Sequence, residues 1–214
     1  MHEVGWHYER SRGRIDGLLR SADDDTWNAP VAACPGWRAR DVVAHLLGNT
    51  EDAAAGRLDG PPTEAQTRDQ VDRHRDDDPV ALLDAWAEAG PFVAAVVSQT
   101  EMWPAAIDAV SHEHDIRSAI GQPGGRDNES ILELADLLRQ FDPPRLLSIV
   151  FEDESLDPPA DGTLRLETTP FELVRLRLGR RSQEQVEALA WSDDPTDVLP
   201  HLFIFGPSPT DLLE

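Results

Sequence analysis

Lysine is missing from this chain. All 19 basic residues are arginine, set against 41 acidic ones, and the formal net charge is −22. So acidic a surface repels phosphate backbones, which argues against nucleic acid as a partner. The single cysteine, Cys34, has no partner for an internal disulfide, and without a Cys-x-x-Cys pair there is no thiolate metal site. It lies in "ACPGW", just before a predicted helix start. A lowered pKa there would suit a nucleophile, and a small half-buried turn residue fits the same position. No apolar run approaches the length of a membrane-spanning helix, and "MHEVGWHYER" is not a signal peptide, so the expectation is a cytoplasmic protein with no membrane partner. Repeats and low-complexity tracts are also missing. The use of arginine for lysine, with abundant alanine, aspartate and proline, matches the composition of a GC-rich, actinobacterial genome.

The 214 residues, 40% of them hydrophobic, suffice for one medium domain or a small domain with an appendage. Helical spacing of Trp6, Ile15, Leu18 and Leu19 predicts a first helix over residues 3–21. A second runs from Arg38 to about Leu58, stopped by "DGPP". "TEAQTRDQVDRHRDDD" reads as a solvated helix or mobile linker with little functional weight. A third helix begins at Pro79, and Pro91 is expected to kink or break it. A fourth spans about Pro104 to Ile120 and is ended by Gly121. Beyond it the pattern changes. "NESILELADLLRQF" is a short amphipathic helix, "RLLSIVFEDESL" a strand, "DPPADG" a turn and "TLRLETT" a strand. "PFELVRLRLGRRSQEQVEALAW" reads as one helical stretch crossing Gly179. The expectation is therefore a mainly α protein: a four-helix unit over residues 1–125 and a small α/β appendage over 126–214.

Within "SHEHDIRSAIG" two histidines stand two apart, which on a helix sends them to opposite sides. With Asp108 at zero, a turn of about 100° per residue puts His112 at about 40° and Asp115 at about −20°. They share a stripe of small apolar residues, Ala105, Ala109, Ile116 and Ala119. His114 falls with Glu113 and Arg117 on what reads as the solvent face, so it is expected to be exposed and dispensable. Carboxylates and an imidazole on an apolar stripe are costly to bury unless they are paired or bind a cation. A histidine held by a carboxylate with no metal satisfies that condition equally. On the second helix, Asp41, Gly48, Asn49, Asp52 and Gly56 all lie within about 60° of His45. That stripe is either the wall of a wet cavity or simply an exposed face. If the two stripes meet, His45, Asp108 and His112 form the two-histidine, one-carboxylate set of open zinc sites.

"CPGWRARDVVAHLLGNTED" resembles the signature of the mycothiol-dependent maleylpyruvate isomerase family, part of the DinB-like metal-binding four-helix bundles. "DAVSHEHDIRSAIG" resembles the family's second motif, and "TPFELVRLRLGRRS" its C-terminal segment. The resemblance implies a DinB-like bundle with metal ligands at His45 and His112. It places Asp108 where the family carries glutamate, one methylene longer. It further implies zinc or another divalent metal, mycothiol as thiol cosubstrate, and S-transfer to, or cis–trans isomerisation of, a small electrophile. A metal held by three protein ligands lowers the pKa of a thiol at its open position, so Cys34 is not needed as nucleophile. Asn49, Asp52 and Asp115 are candidates to orient the histidines or hold the cosubstrate. Arg175, Arg177, Arg180 and Arg181 are substrate-binding candidates by charge alone. A hydrolase using zinc-bound water and a non-catalytic binding or stress protein on the same scaffold are the other two classes.

Overall fold

In the first half of the chain, apolar residues recur at helical spacing and are separated by capping and breaking residues. The computed structural model describes residues 2–151 and 162–214. Six helices follow one another in the unit Met1–Gly124: α1 (Val4–Leu19), α2 (Asp24–Trp27), α3 (Ala39–Ala54), α4 (Glu64–Arg73), α5 (Pro79–Thr100) and α6 (Pro104–Ala119). α1 packs on α5 and α6, α3 packs on α5 and α6, and the short α4 lies along α3. The bundle core is built from Ile15, Leu19, Val42, Val43, Leu46, Leu47, Leu82, Leu83, Trp86, Val93, Ala109 and Ile116.

Local chemistry sets the helix ends. Asp78 caps α5 by accepting from the backbone N–H groups of Val80 (2.9 Å) and Ala81 (3.1 Å), with Pro79 in the first turn. Thr63 and Gln66 form a capping box at the start of α4. The break foreseen at Pro91 does not occur: α5 is one helix from Pro79 to Thr100. The residue before a proline is normally pushed out of the helical region because its Cβ collides with the ring. Here that residue is Gly90, which has no Cβ, and its bare backbone also admits the Glu9 and Arg12 side chains of α1. At 22 residues α5 is long and apolar enough, by length and composition, to cross a bilayer. The sequence expectation missed this because Asp84, Glu88 and Pro91 interrupt every pure apolar run. In the bundle, Leu82, Leu83, Trp86, Val93 and Val97 of α5 are buried.

A chain of hydrogen bonds crosses the core. Trp86 Nε1 donates to Tyr8 Oη (2.7 Å), Tyr8 lies 2.7 Å from Thr50 Oγ1, and the Thr50 hydroxyl donates to the Leu46 carbonyl (2.7 Å). Burial outweighs these bonds and pushes the Tyr8 hydroxyl up to about 12. Tyr8 is the sole tyrosine, so its ionisation can be followed without interference. The native protein should show no phenolate absorbance at a pH where the unfolded chain, ionising near pH 10, already does. A raised folded-state pKa means the stabilisation is complete below about pH 10 and is lost as pH climbs through 12. A native spectrophotometric midpoint near 10 would show that Tyr8 reaches water.

The unit Gly125–Glu214 carries α7 (Glu129–Leu138), β1 (Leu147–Phe151), β2 (Leu164–Thr168), α8 (Pro170–Arg177), α9 (Gln183–Glu187), β3 (Ala190–Trp191) and α10 (Leu199–Leu202). The chain is thus mainly helical with a small three-stranded sheet near its C-terminal end. β1 and β2 pair in parallel, Leu147 opposite Leu164 through Phe151 opposite Thr168, and β3 joins β2 antiparallel. The foreseen turn "DPPADG" and the end of the first strand fall largely outside the described residues. α7 packs on α8, closing a core of Ile131, Leu134, Leu166, Leu173 and Leu176. The stretch read as one helix across Gly179 is two. Gly179 adopts φ +76°, and a Cβ there would lie 2.4 Å from the Gly206 carbonyl oxygen. The helix therefore stops, and a new one starts at the Ser182 cap, whose hydroxyl accepts from Gln185 N–H. The arginines of this region are spent internally. Arg175 pairs with Glu214, Arg181 with Glu172 (2.5 Å) and Glu214 (3.1 Å), and Arg177 donates to the carbonyls of His201 and Leu202. Arg180 donates to the Leu178 carbonyl (2.8 Å).

Candidate metal centre

Two helices and one turn supply the candidate site. Asp41, in the first turn of α3, accepts from the Arg38 backbone N–H (2.9 Å) and pairs with its guanidinium, so it caps the helix and stays apart from the site. The turn before it is closed by Val31 N–H on the Trp37 carbonyl and Trp37 N–H on the Cys34 carbonyl, both 2.9 Å. α3 then brings His45 and Asn49, and α6 brings Asp108, His112 and Asp115.

The donor atoms of His45, Asp108 and His112 all lie within 4.8 Å of one another. His45 Nε2 is 3.3 Å from Asp108 Oδ2, and His112 Nε2 is 3.4 Å from Asp108 Oδ1. The imidazole rings stand nearly perpendicular, 5.4 Å apart, and the Trp37 ring lies 5.3 Å from His45 and 6.5 Å from His112. The histidine side chains are almost fully buried, while Asp108 keeps 26% exposure. Both Nδ1 atoms face acceptors: His45 Nδ1 meets Gln70 Oε1 (2.9 Å) and His112 Nδ1 meets Asp115 Oδ2 (2.9 Å). In a neutral ring an N–H on Nδ1 leaves Nε2 as a bare lone pair, and both Nε2 atoms face the Asp108 carboxylate. A tetrahedral ion with bonds of about 2.0–2.1 Å needs donors roughly 3.3–3.5 Å apart, and the Nε2-to-carboxylate separations match. Asn49 donates to Asp108 Oδ2 (3.1 Å), and its own Oδ1 is buried with no hydrogen-bond partner among the described residues. The donor set therefore fits a divalent ion, and Asn49 Oδ1 is an acceptor left over for a ligand.

Without an ion the three side chains stabilise one another's charges. Burial on its own would raise Asp108, but the His45 charge and hydrogen bonds from both histidines hold it well below the usual carboxylate range. Burial alone would lower His112, and the Cys34 sulfur together with Asp108 and Asp115 raises it well above the ordinary imidazole value.

The structure places each foreseen residue. Asp115 touches His112, Asn49 touches Asp108, and Asp52 reaches His45 only through Gln70, whose Nε2 donates to Asp52 Oδ2 (2.8 Å). Cys34, set aside in the sequence reading, is part of the surroundings: its Sγ lies 3.9 Å from both His112 Nδ1 and Asp115 Oδ2. His114 corrects an expectation, because it is buried at 4% exposure. Every residue from Ala109 to Ile116 is buried, since the supposed solvent face of α6 packs against α1. Burial of that face is possible because Glu113, fully buried, is neutralised by Arg14 (2.8 Å) and Arg117 (2.9 Å). The polar stripe of α3 is likewise covered and not open, by α4, although Gly56 lies beyond the helix end.

Gln70 and Trp37 were missed. Gln70 sits in the charged segment given little weight, yet it is completely buried. Its signals were the Thr63-x-x-Gln66 capping box and Gly48, an unexplained helical glycine of the kind that marks a close approach. Trp37 also lines an open cleft of about 820 Å³, with Pro35, Arg38, Thr67, Arg68 and Val71.

A family model described as the mycothiol maleylpyruvate isomerase N-terminal domain matches residues 8–117, from within α1 to the last turn of α6. Comparison with curated proteins and with solved structures finds no match.

Proposed function

The chain belongs to the mycothiol maleylpyruvate isomerase N-terminal domain family, and on that premise we propose that it is a metal-dependent enzyme that uses a low-molecular-weight thiol, mycothiol, as cosubstrate. His45, Asp108 and His112 hold one divalent ion, zinc in our reading. The observation that carries this is the convergence of two Nε2 atoms on one carboxylate, with both Nδ1 atoms already engaged. When bound, such an ion lowers the pKa of a thiol at its open position. The chain's own residues do the rest. Asn49 holds Asp108 and offers its free Oδ1 to an N–H or O–H of the cosubstrate. Asp115 orients His112, and Trp37 covers the ligands while forming a wall of the cleft, where we place the body of the thiol. The reaction is S-transfer to a small electrophile or thiol-assisted cis–trans isomerisation, in the cytoplasm where such thiols are kept reduced.

Zinc-loaded protein given mycothiol and a panel of small electrophiles should consume at least one electrophile only when the thiol is present, and calorimetry should register mycothiol binding. Neither binding nor consumption would leave a non-catalytic binding protein. Turnover of a hydrolysable substrate without thiol would point to zinc-bound water.

A further inference from the structure

We propose that Gln70, delivered by the highly charged α4, is a positioning residue that sets which nitrogen of His45 is free, and that Asp52 with Arg57 and Arg73 sets Gln70. The inference rests on the metal reading for its purpose but not for its geometry.

Arg57 donates twice to Asp52 Oδ1 (2.8 and 2.6 Å) and Arg73 once (2.9 Å). Burial would raise Asp52, yet Gln70 and the two arginines hold it below its ordinary value, so it stands as a carboxylate. A carboxylate only accepts, so it selects the NH₂ end of the Gln70 amide. The amide has one other end, and that oxygen then faces His45 Nδ1 at 2.9 Å. An oxygen there requires the proton on Nδ1, and Nε2 is left as a lone pair toward Asp108. An amide that could flip would present its NH₂ to His45 half the time and move the ring proton to Nε2.

The seat for Gln70 is cut into α3. A Cβ on Gly48 would fall 2.6 Å from Gln70 Cβ and 3.0 Å from its Cα, so any larger residue pushes α4 away. Gln70 is fully buried and is the one buried residue of α4. The apolar residues of α4 are the exposed Ala65 and the half-buried Val71, so a polar side chain is the one that is fully docked.

The test has two independent readouts. One is ¹⁵N NMR of the apo protein, at a pH where the His45 ring is neutral, which reports its tautomer without any metal. The other is zinc affinity by competition with a chromophoric chelator. Gln70→Leu, close in volume, should lose the Nδ1–H preference and weaken zinc binding by about ten- to a hundred-fold. Asp52→Asn should act in the same direction, because Arg57 and Arg73 hold the new amide's oxygen and turn its NH₂ to Gln70, which then presents its own NH₂ to His45. Adding Gln70→Glu to Asp52→Asn exchanges carboxylate and amide, restores an acceptor at His45, and should recover most of the affinity. A simply structural Gln70 gives no such rescue. Should Gln70→Leu fail to fold, the Asp52→Asn variant and its double carry the test. If the tautomer and the affinity are unchanged in Asp52→Asn, or the double variant is no better than the single, the proposal is overturned. A tautomer that responds in a protein that binds no zinc upholds the positioning role and overturns the metal reading instead.

Discussion

On the proposed ligand set, His112→Ala should abolish zinc binding and His114→Ala should leave the bound stoichiometry unchanged, the largest difference expected between two neighbouring histidines. His112 presents Nε2 to Asp108 at 3.4 Å and has its other nitrogen held by Asp115 at 2.9 Å. Its loss removes one of three ligands, and it leaves Asp115 and Asp108 facing each other's charge without the imidazole that now separates them. His114 stands two residues further along α6 and lies outside the His45–Asp108–His112 cluster, but it is buried, so its replacement should cost stability, about 1–3 kcal/mol, and not metal. Metal analysis after dialysis, together with urea unfolding of both variants, separates the two effects. Zinc retained at wild-type affinity in His112→Ala would rule out the proposed ligand set. Zinc lost from His114→Ala in a protein that still unfolds cooperatively would mean that His114 takes part after all.

The second large effect concerns Glu113, which touches no residue of the candidate centre. Its carboxylate is fully buried and receives two bonds from Arg14 Nε (2.9 and 2.8 Å) and one from Arg117 Nε (2.9 Å). Removing one member of a buried ion cluster leaves the others uncompensated and typically costs about 3–5 kcal/mol. Arg14 and Arg117 keep 21% and 16% side-chain exposure and can turn toward water, so Glu113→Ala should fall at the lower end, about 3 kcal/mol. Chemical denaturation measures it directly. A loss under about 1 kcal/mol would mean that this face of α6 is effectively surface, as an exposed ion pair would be.

Glu113 also shows where reading the sequence reached its limit. The helical phase of α6 was legible, since His112 was separated from His114 by turn geometry alone and the two histidines do part company in the fold. What lies against each face was not legible. A glutamate, a histidine and an arginine together signal solvent unless a partner is known, and Arg14 is 99 residues away in the chain. The same limit applies to α3. Its polar stripe was visible, but whether it faced water or protein depended on α4, whose charged composition carries no hint of docking. His45, Asp108 and His112 could be grouped because their spacing repeats within helices and their motifs resemble a family. Gln70 has no such spacing, and only the Thr63-x-x-Gln66 capping box and the gap at Gly48 pointed toward it. In the second unit, strand positions followed from alternation, as at Leu164, Leu166 and Thr168, but parallel pairing did not, because alternation is blind to direction.

The docking of α4 through Gln70 makes the helix and the site parts of one equilibrium. A helix whose only buried side chain is polar has little apolar area to lose on opening, so its detachment belongs to the low end of the local unfolding scale. An ion held by His45 in its Nε2-free form binds the docked state in preference, and ligand that selects one state adds to that state's stability in proportion to the logarithm of its concentration over its dissociation constant. If the proposed ion binds, order in residues 64–73 and occupancy of the centre should rise and fall together. A helix that the ion would never touch would then depend on it for its order.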